Sequence, residues 1–189
     1  MDCALTYLMT HFRTLIASLC LSGFCLSLTA LSAQAQESFE DLLGDLAASQ
    51  SRAEADQYSN QIWELWLTAP DATAQAVLDA AMVRRQSYDY LGAIEQLDRL
   101  IESYPDYAEG WNQRATIYFL RGEYEKSLAD VDETLAREPR HFGALAGKSL
   151  ILFNQGKQAL AKIAVLEALR YHPFLSERAI LGDGNAEDI

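Results

Sequence analysis

The chain has 189 residues, 50% of them hydrophobic and 22% charged, which suits one or at most two globular domains. Fifteen Lys+Arg against 27 Asp+Glu give a net charge of −12. That balance argues against a nucleic-acid partner, since gripping phosphates takes a basic face. Cys3, Cys20 and Cys25 are the three cysteines, so residues 26–189 hold no thiol catalyst, zinc knuckle or internal disulfide.

Residues 1–35 read as an export signal. Met1 to Arg13 is a short leader with one basic residue near its end, and residues 14–33 follow without a charge. The run closes on Ala33-Gln34-Ala35, small residues at the two positions that a signal peptidase must accommodate. Cleavage after Ala35 leaves a chain of the same net charge, because Asp2 and Arg13 leave together. The alternative is an uncleaved anchor, as about 20 apolar residues also span a bilayer. No Asn-x-Ser/Thr acceptor occurs in the chain, which favours a bacterial periplasmic setting over that of a eukaryotic glycoprotein.

Residues 36–73 predict two helices. Ser38 to Asp41 looks like a capping box, with Leu42, Leu43 and Leu46 as an apolar stripe behind it. A second helix runs from about Arg52 to Leu67, with Tyr58, Ile62, Trp63, Trp66 and Leu67 on one side, and Pro70 closes it. Trp63 and Trp66 lie one turn apart. They suit packing onto the next element, and alternatively the stacking of a sugar or a flexible peptide.

From there a period governs the sequence. Pro105, Pro139 and Pro173 are 34 residues apart. Within each interval a large apolar residue recurs (Val77, Trp111, Leu145), followed by a small one (Ala81, Ala115, Ser149) and a second small one (Ala93, Ser127, Ala161). Leu97, Val131 and Val165 follow, then Ile101, Leu135 and Leu169. Spacings of three and four place an apolar stripe on each of two helices. The small residues belong where the helices cross. Gly122 and Gly156 fit a turn that needs positive φ, whereas Tyr88 at the matching point predicts a different turn in the first unit. The prolines end the second helix of each pair. Such hairpins hide their apolar faces only by stacking on one another.

The unit running from Ala108 through Trp111, Ala115, Tyr118, Gly122, Tyr124 and Ser127 to Pro139 resembles the tetratricopeptide repeat, departing from it at Arg114 and Thr134, where the family usually has Leu and Ala. Units 74–107 and 142–175 keep the length and the proline with fewer signature residues, so the resemblance covers 102 residues. It implies an all-α, TPR-type α-solenoid of three helical hairpins (74–107, 108–141, 142–175). Residues 36–73 then form an N-terminal capping hairpin, and 176–189 a short helical turn and a disordered acidic tail. It also implies protein–protein scaffolding rather than catalysis, with an outer face left open at the third repeat.

The chain lacks the metalloprotease, nucleophile-elbow, P-loop and dinucleotide motifs. No catalytic, cofactor-binding or metal-binding residue is expected. His141 and His172 read as residues at helix ends rather than metal ligands. Asp130, Asp132 and Glu133 read as a solvated acidic face, since Asp130 and Asp132 point some 200° apart on a helix. Asp183, Asn185 and Glu187 only superficially resemble a calcium loop, which would need a glycine at its sixth position.

The family resemblance places the first helix of each hairpin on the concave side. The partner-binding groove would then carry Leu78, Asp79, Met82 and Arg85 from the first unit and Asn112, Gln113, Thr116 and Phe119 from the second. The third would add Gly143, Ala146, Gly147, Leu150 and Phe153. The lysine- and asparagine-rich clamp by which some members hold an acidic C-terminus is absent, its positions holding Leu78, Met82, Gln113, Gly143 and Gly147. Phe119, Leu150 and Phe153 would instead floor a shallow apolar pocket, suited to a protein or peptide partner. The competing expectation is that the N-terminal helices or the tail partly cover this face. Two other readings stay open. One is a self-associating structural protein, a homodimer pairing through Ile163, Leu166 and Leu169. The other binds small ligands or cell-wall fragments through Trp63 and Trp66. Membrane contact is expected only if the leader is uncleaved.

Overall fold

The computed structural model describes residues 38–182. The leader expected over 1–35, and Asp183, Asn185 and Glu187 of the tail, lie outside them. The chain divides after Asp41, and the repeats and their packing lie within 42–182. Among the described residues no helix is long and apolar enough to cross a membrane.

Helix α1 covers residues 38–48 and α2 Arg52–Leu67. Ser38 is itself helical, so it is not the flanking residue that a capping box requires. A capping arrangement falls instead at the start of α2. There Ser51 Oγ accepts from the Glu54 N–H at 3.2 Å, and the Glu54 carboxylate accepts from the Gln50 N–H at 2.8 Å. Leu43 and Leu46 of α1 are buried as their spacing predicts, and so are Ala55, Ser59 and Ile62 of α2.

Three hairpins follow: α3 (Ala72–Gln86) with α4 (Tyr90–Ser103), α5 (Ala108–Leu120) with α6 (Tyr124–Arg137), and α7 (Phe142–Asn154) with α8 (Gln158–Tyr171). Each packs on the next in chain order. The recurrent small residues Ala81, Ala115, Ser149, Ala93, Ser127 and Ala161 are all 2% exposed or less. They let paired helices approach closely, and where serine replaces alanine the hydroxyl donates to a carbonyl, as Ser127 does to Ala115 at 2.7 Å. Pro105, Pro139 and Pro173 each stand two residues past a second helix.

Asp71 opens the first hairpin as the cap of α3. Its carboxylate accepts from the N–H groups of Thr73 and Ala74 and from the Tyr104 hydroxyl. These hydrogen bonds, the one from Ala74 first, hold its pKa below the usual aspartate value. The cores of successive hairpins are continuous. Leu78, Leu97 and Leu100 join Ile117 of α5 in one cluster, and Ala115 and Val131 join Ala144 and Ile151 of α7 in the next.

The first turn does not differ as expected. Tyr88 takes φ of 60°, beside 73° for Gly122 and 75° for Gly156. The same pair of hydrogen bonds closes all three turns. In the first they run from the Asp89 N–H to the Arg84 carbonyl and from the Tyr88 N–H to the Arg85 carbonyl. Hairpin stacking therefore fixes the turn and tyrosine submits to it, at about 1–2 kcal/mol for a side chain in the left-handed region.

The acidic face also needs correction. Asp132 and Glu133 are exposed, paired with Lys148 and Arg137. Asp130 is 4% exposed and receives both Nε and Nη2 of Arg114 at 2.7 Å. Arg114 reaches Asp98 as well, at 2.7 Å, and the Asp130 carboxylate is the main reason its guanidinium is held protonated above its ordinary value. The departure from the repeat pattern at Arg114 is thus answered one helix away. Thr134, the second departure, is fully buried and returns its hydroxyl to the Asp130 carbonyl at 2.9 Å.

At the far end a 3-10 helix, Ser176–Leu181, folds back on α8 and α7. Its Ile180 packs on Leu152, Ala161 and Ala164. The outer face is therefore partly covered, leaving Leu160 and Ile163 exposed and Leu166 and Leu169 half-buried.

Replacing Tyr88 by glycine is expected to stabilise the chain by about 1 kcal/mol, read as a higher melting midpoint in thermal denaturation. A lower midpoint would mean that the tyrosine ring, 6.2 Å from that of Tyr90, contributes more than the turn costs.

Candidate functional site

Helix α2, the second of the N-terminal helices, packs on α5. Its aromatic face meets the start of α7. Trp66 stacks on the His141 ring at 3.8 Å with the planes 11° apart, and Trp63 and Trp66 both contact Phe142, at 5.7 and 4.9 Å. The Tyr107 hydroxyl donates to the Trp66 carbonyl at 2.7 Å, and burial pushes that phenol above its ordinary pKa. Gly143 makes room for the arrangement: a Cβ there would come within 2.6 Å of the Trp63 ring.

Beneath the indoles is a buried polar network. His141 is the N-cap of α7, its Nδ1 accepting from the Ala144 N–H at 3.1 Å. The proton therefore sits on Nε2, which donates to Glu109 Oε2 at 3.0 Å. Glu109 is 1% exposed and also accepts from the amides of Asn112 and Gln113. Gln113 in turn accepts from Arg85 at 2.7 Å. His172, the C-cap of α8, packs edge-on to Phe142 at 5.2 Å, and burial holds its imidazole below its ordinary pKa of 6.5. Both histidines thus stand at helix ends, as expected.

Part of the concave face stays open as a cleft of about 660 Å³. Trp63 and Leu67 of α2 form one wall. Phe119 of α5 and Ala146, Gly147 and Leu150 of α7 form an apolar floor. Met82 and Arg85 bound it on the side of the first hairpin, and Leu175, Ser176 and Glu177 beyond the third.

Of the residues expected in the groove, Met82, Arg85, Asn112, Gln113, Thr116, Phe119 and Leu150 line this cleft. Gly143, Ala146 and Gly147 do too. The amides of Asn112 and Gln113, though, are engaged with Glu109, and the Thr116 hydroxyl with the Asn112 carbonyl. Leu78 is 1% exposed, in the core between α3 and α4. Asp79 is exposed and holds Gln75 at 3.0 Å, and Phe153 is exposed as well; neither lines the cleft.

Glu109 escaped the sequence reading, while the wall from α2 and the residues after α8 answer the competing expectation that the N-terminal helices or the tail partly cover this face. A signal for Glu109 was present: Asn112 and Gln113 follow it at three and four residues, where amides on a helix can satisfy a buried carboxylate.

No family model matches the chain. A curated TPR repeat-containing protein of Rhizobium etli is 34% identical over 142 residues, spanning 75% of this chain and 70% of that protein. The chain belongs to the tetratricopeptide-repeat family. Solved TPR structures share its fold. The first TPR of Spaghetti (RPAP3), bound to an HSP90 peptide, superposes with a TM-score of 0.56 at 19% identity over 59% of this chain and 93% of that one. The Sgt2 TPR domain from Aspergillus fumigatus gives 0.52 at 19% identity over 55% and 68%. The yeast Sti1 TPR2B domain, in an Hsp70 complex, gives 0.51 at 16% identity over 62% and 89%.

Gly143→Ala is expected to cost about 1–3 kcal/mol by driving the Trp63 ring from its seat, with a red shift in tryptophan emission. Gly147→Ala, whose added methyl meets no atom within 4 Å, is expected to leave emission unchanged and stability equal or up to about 1 kcal/mol higher. Identical emission from both variants would contradict the seating of Trp63 on Gly143.

Proposed function

We propose that this TPR protein is a non-catalytic interaction scaffold that holds a polypeptide segment in the cleft between α2 and the floor of α7. The observation that carries this reading is the apolar floor of Phe119, Gly147 and Leu150, each only half-buried where it lines the cleft beside the buried Ala146. Solved TPR relatives described as bound to an HSP90 peptide and as an Hsp70 complex lend support. The positions of the acidic-peptide clamp stay without lysine here, so the segment differs in chemistry from an acidic C-terminus. With both indoles packed on His141 and Phe142, ligand binding by the tryptophan pair has less to rest on.

We further propose an exported protein of the bacterial cell envelope, on the uncharged run 14–33 and Ala33-Gln34-Ala35. Sequencing the protein purified from its native cells is expected to give Gln36 as the first residue. An intact leader in the membrane fraction would favour the anchor.

A random heptapeptide library displayed on phage and selected on the purified full-length chain is expected to yield binders that lose about tenfold or more in affinity for Gly147→Phe, which fills the cleft from an open position on α7. Binders indifferent to that change, or none selected, would overturn the cleft as the binding site.

A further inference from the structure

Among the described residues, Arg85 and Glu177 line the cleft as an arginine and a glutamate, beside His172, whose imidazole burial holds below its ordinary pKa. Some surface charges are paired, Arg84 with Asp89 at 2.6 Å, Arg137 with Glu133 at 2.6 Å and Lys148 with Asp132 at 2.8 Å. The two in the cleft are not. Arg85 makes one hydrogen bond, to the neutral amide of Gln113, and among the described residues no carboxylate pairs with it. Glu177 accepts from the Ser176 hydroxyl at 3.2 Å, and no described cation pairs with it. They do not meet each other either. In repeat order they stand at opposite ends, Arg85 on α3 of the first hairpin and Glu177 after α8 of the third, with the apolar floor between.

Any segment laid on that floor strips water from both charges. A wholly apolar or like-charged segment would leave a guanidinium and a carboxylate desolvated and unmatched, which costs more than the apolar contacts return. A segment of the opposite polarity converts both into charge-assisted hydrogen bonds and fixes its own direction along the cleft. Building on the scaffold reading above, we propose that the occupant is a polypeptide segment with an apolar centre flanked by an acidic residue facing Arg85 and a basic residue facing Glu177.

The test uses heptapeptides selected on the full-length chain, remade as soluble synthetic peptides and measured by fluorescence polarisation. The expected binders carry one acidic and one basic residue on either side of two or three apolar ones. Exchanging the two charges within the peptide lowers affinity for the wild type about tenfold. The double variant Arg85→Glu with Glu177→Arg reverses that preference. Arg85→Gln, which keeps a neutral partner for Gln113, lowers affinity for the original peptide and guards against misfolding of the double variant. Binders that fail on Gly147→Phe yet ignore the charge exchange and Arg85→Gln overturn this inference and leave the scaffold reading standing. Binders indifferent to Gly147→Phe, or none selected, overturn both.

Discussion

One buried carboxylate organises the concave side of this molecule. Glu109 sits in the first turn of α5, where the N-terminal partial charge of the helix favours an anion, and it accepts hydrogen bonds from Asn112, Gln113 and His141. The bond to His141 ties the second hairpin to the start of the third. The same imidazole offers its face to Trp66, so the position of α2 is tied to this network through His141. Replacing Glu109 by an apolar residue would leave two amides and an imidazole N–H buried without acceptors. Networks of this kind stabilise when complete and destabilise when one member is missing.

The 34-residue period carries most of the fold. Small residues at fixed points, a turn residue and a closing proline let one hairpin be copied three times, and stacking then overrides local preference. Tyr88 is the clearest instance, since a residue poorly suited to the left-handed region adopts it because its neighbours dictate the hairpin. Arg114 and Asp130 are another. Read singly, one looks like a lapse from the repeat and the other like a surface acid, yet together they form an ion pair across α5 and α6, with Asp130 buried and Arg114 half-buried.

What the sequence conveyed, then, was whatever repeats. Helix bounds, crossing points and the helix-end roles of the histidines were legible because periodicity encodes them locally. The placement of α2 was legible only as one of two alternatives. Its aromatic spacing says that one face is buried and does not choose between the next element and the groove. The answer depends on Gly143, some 80 residues later in the sequence, where a missing side chain admits an indole. The groove was legible in outline for the same reason: position within the repeat locates the first helices, whereas the withdrawal of Asn112 and Gln113 into a network and the contributions of Trp63, Leu67 and Glu177 arise from contacts that are not periodic.

A helical solenoid ordinarily behaves as a soft spring, because each hairpin touches its neighbours alone and small rotations accumulate. Here the last turn of α2 and the residues after it join two hairpins that are not neighbours in the stack. Leu67 and the following Ala69 are packed into the first hairpin's core, while Trp63 and Trp66 are seated against the start of the third. Rotating the first hairpin against the third then has to disturb this seat as well as the interfaces between hairpins, so the stack is braced beyond what neighbour contacts alone supply.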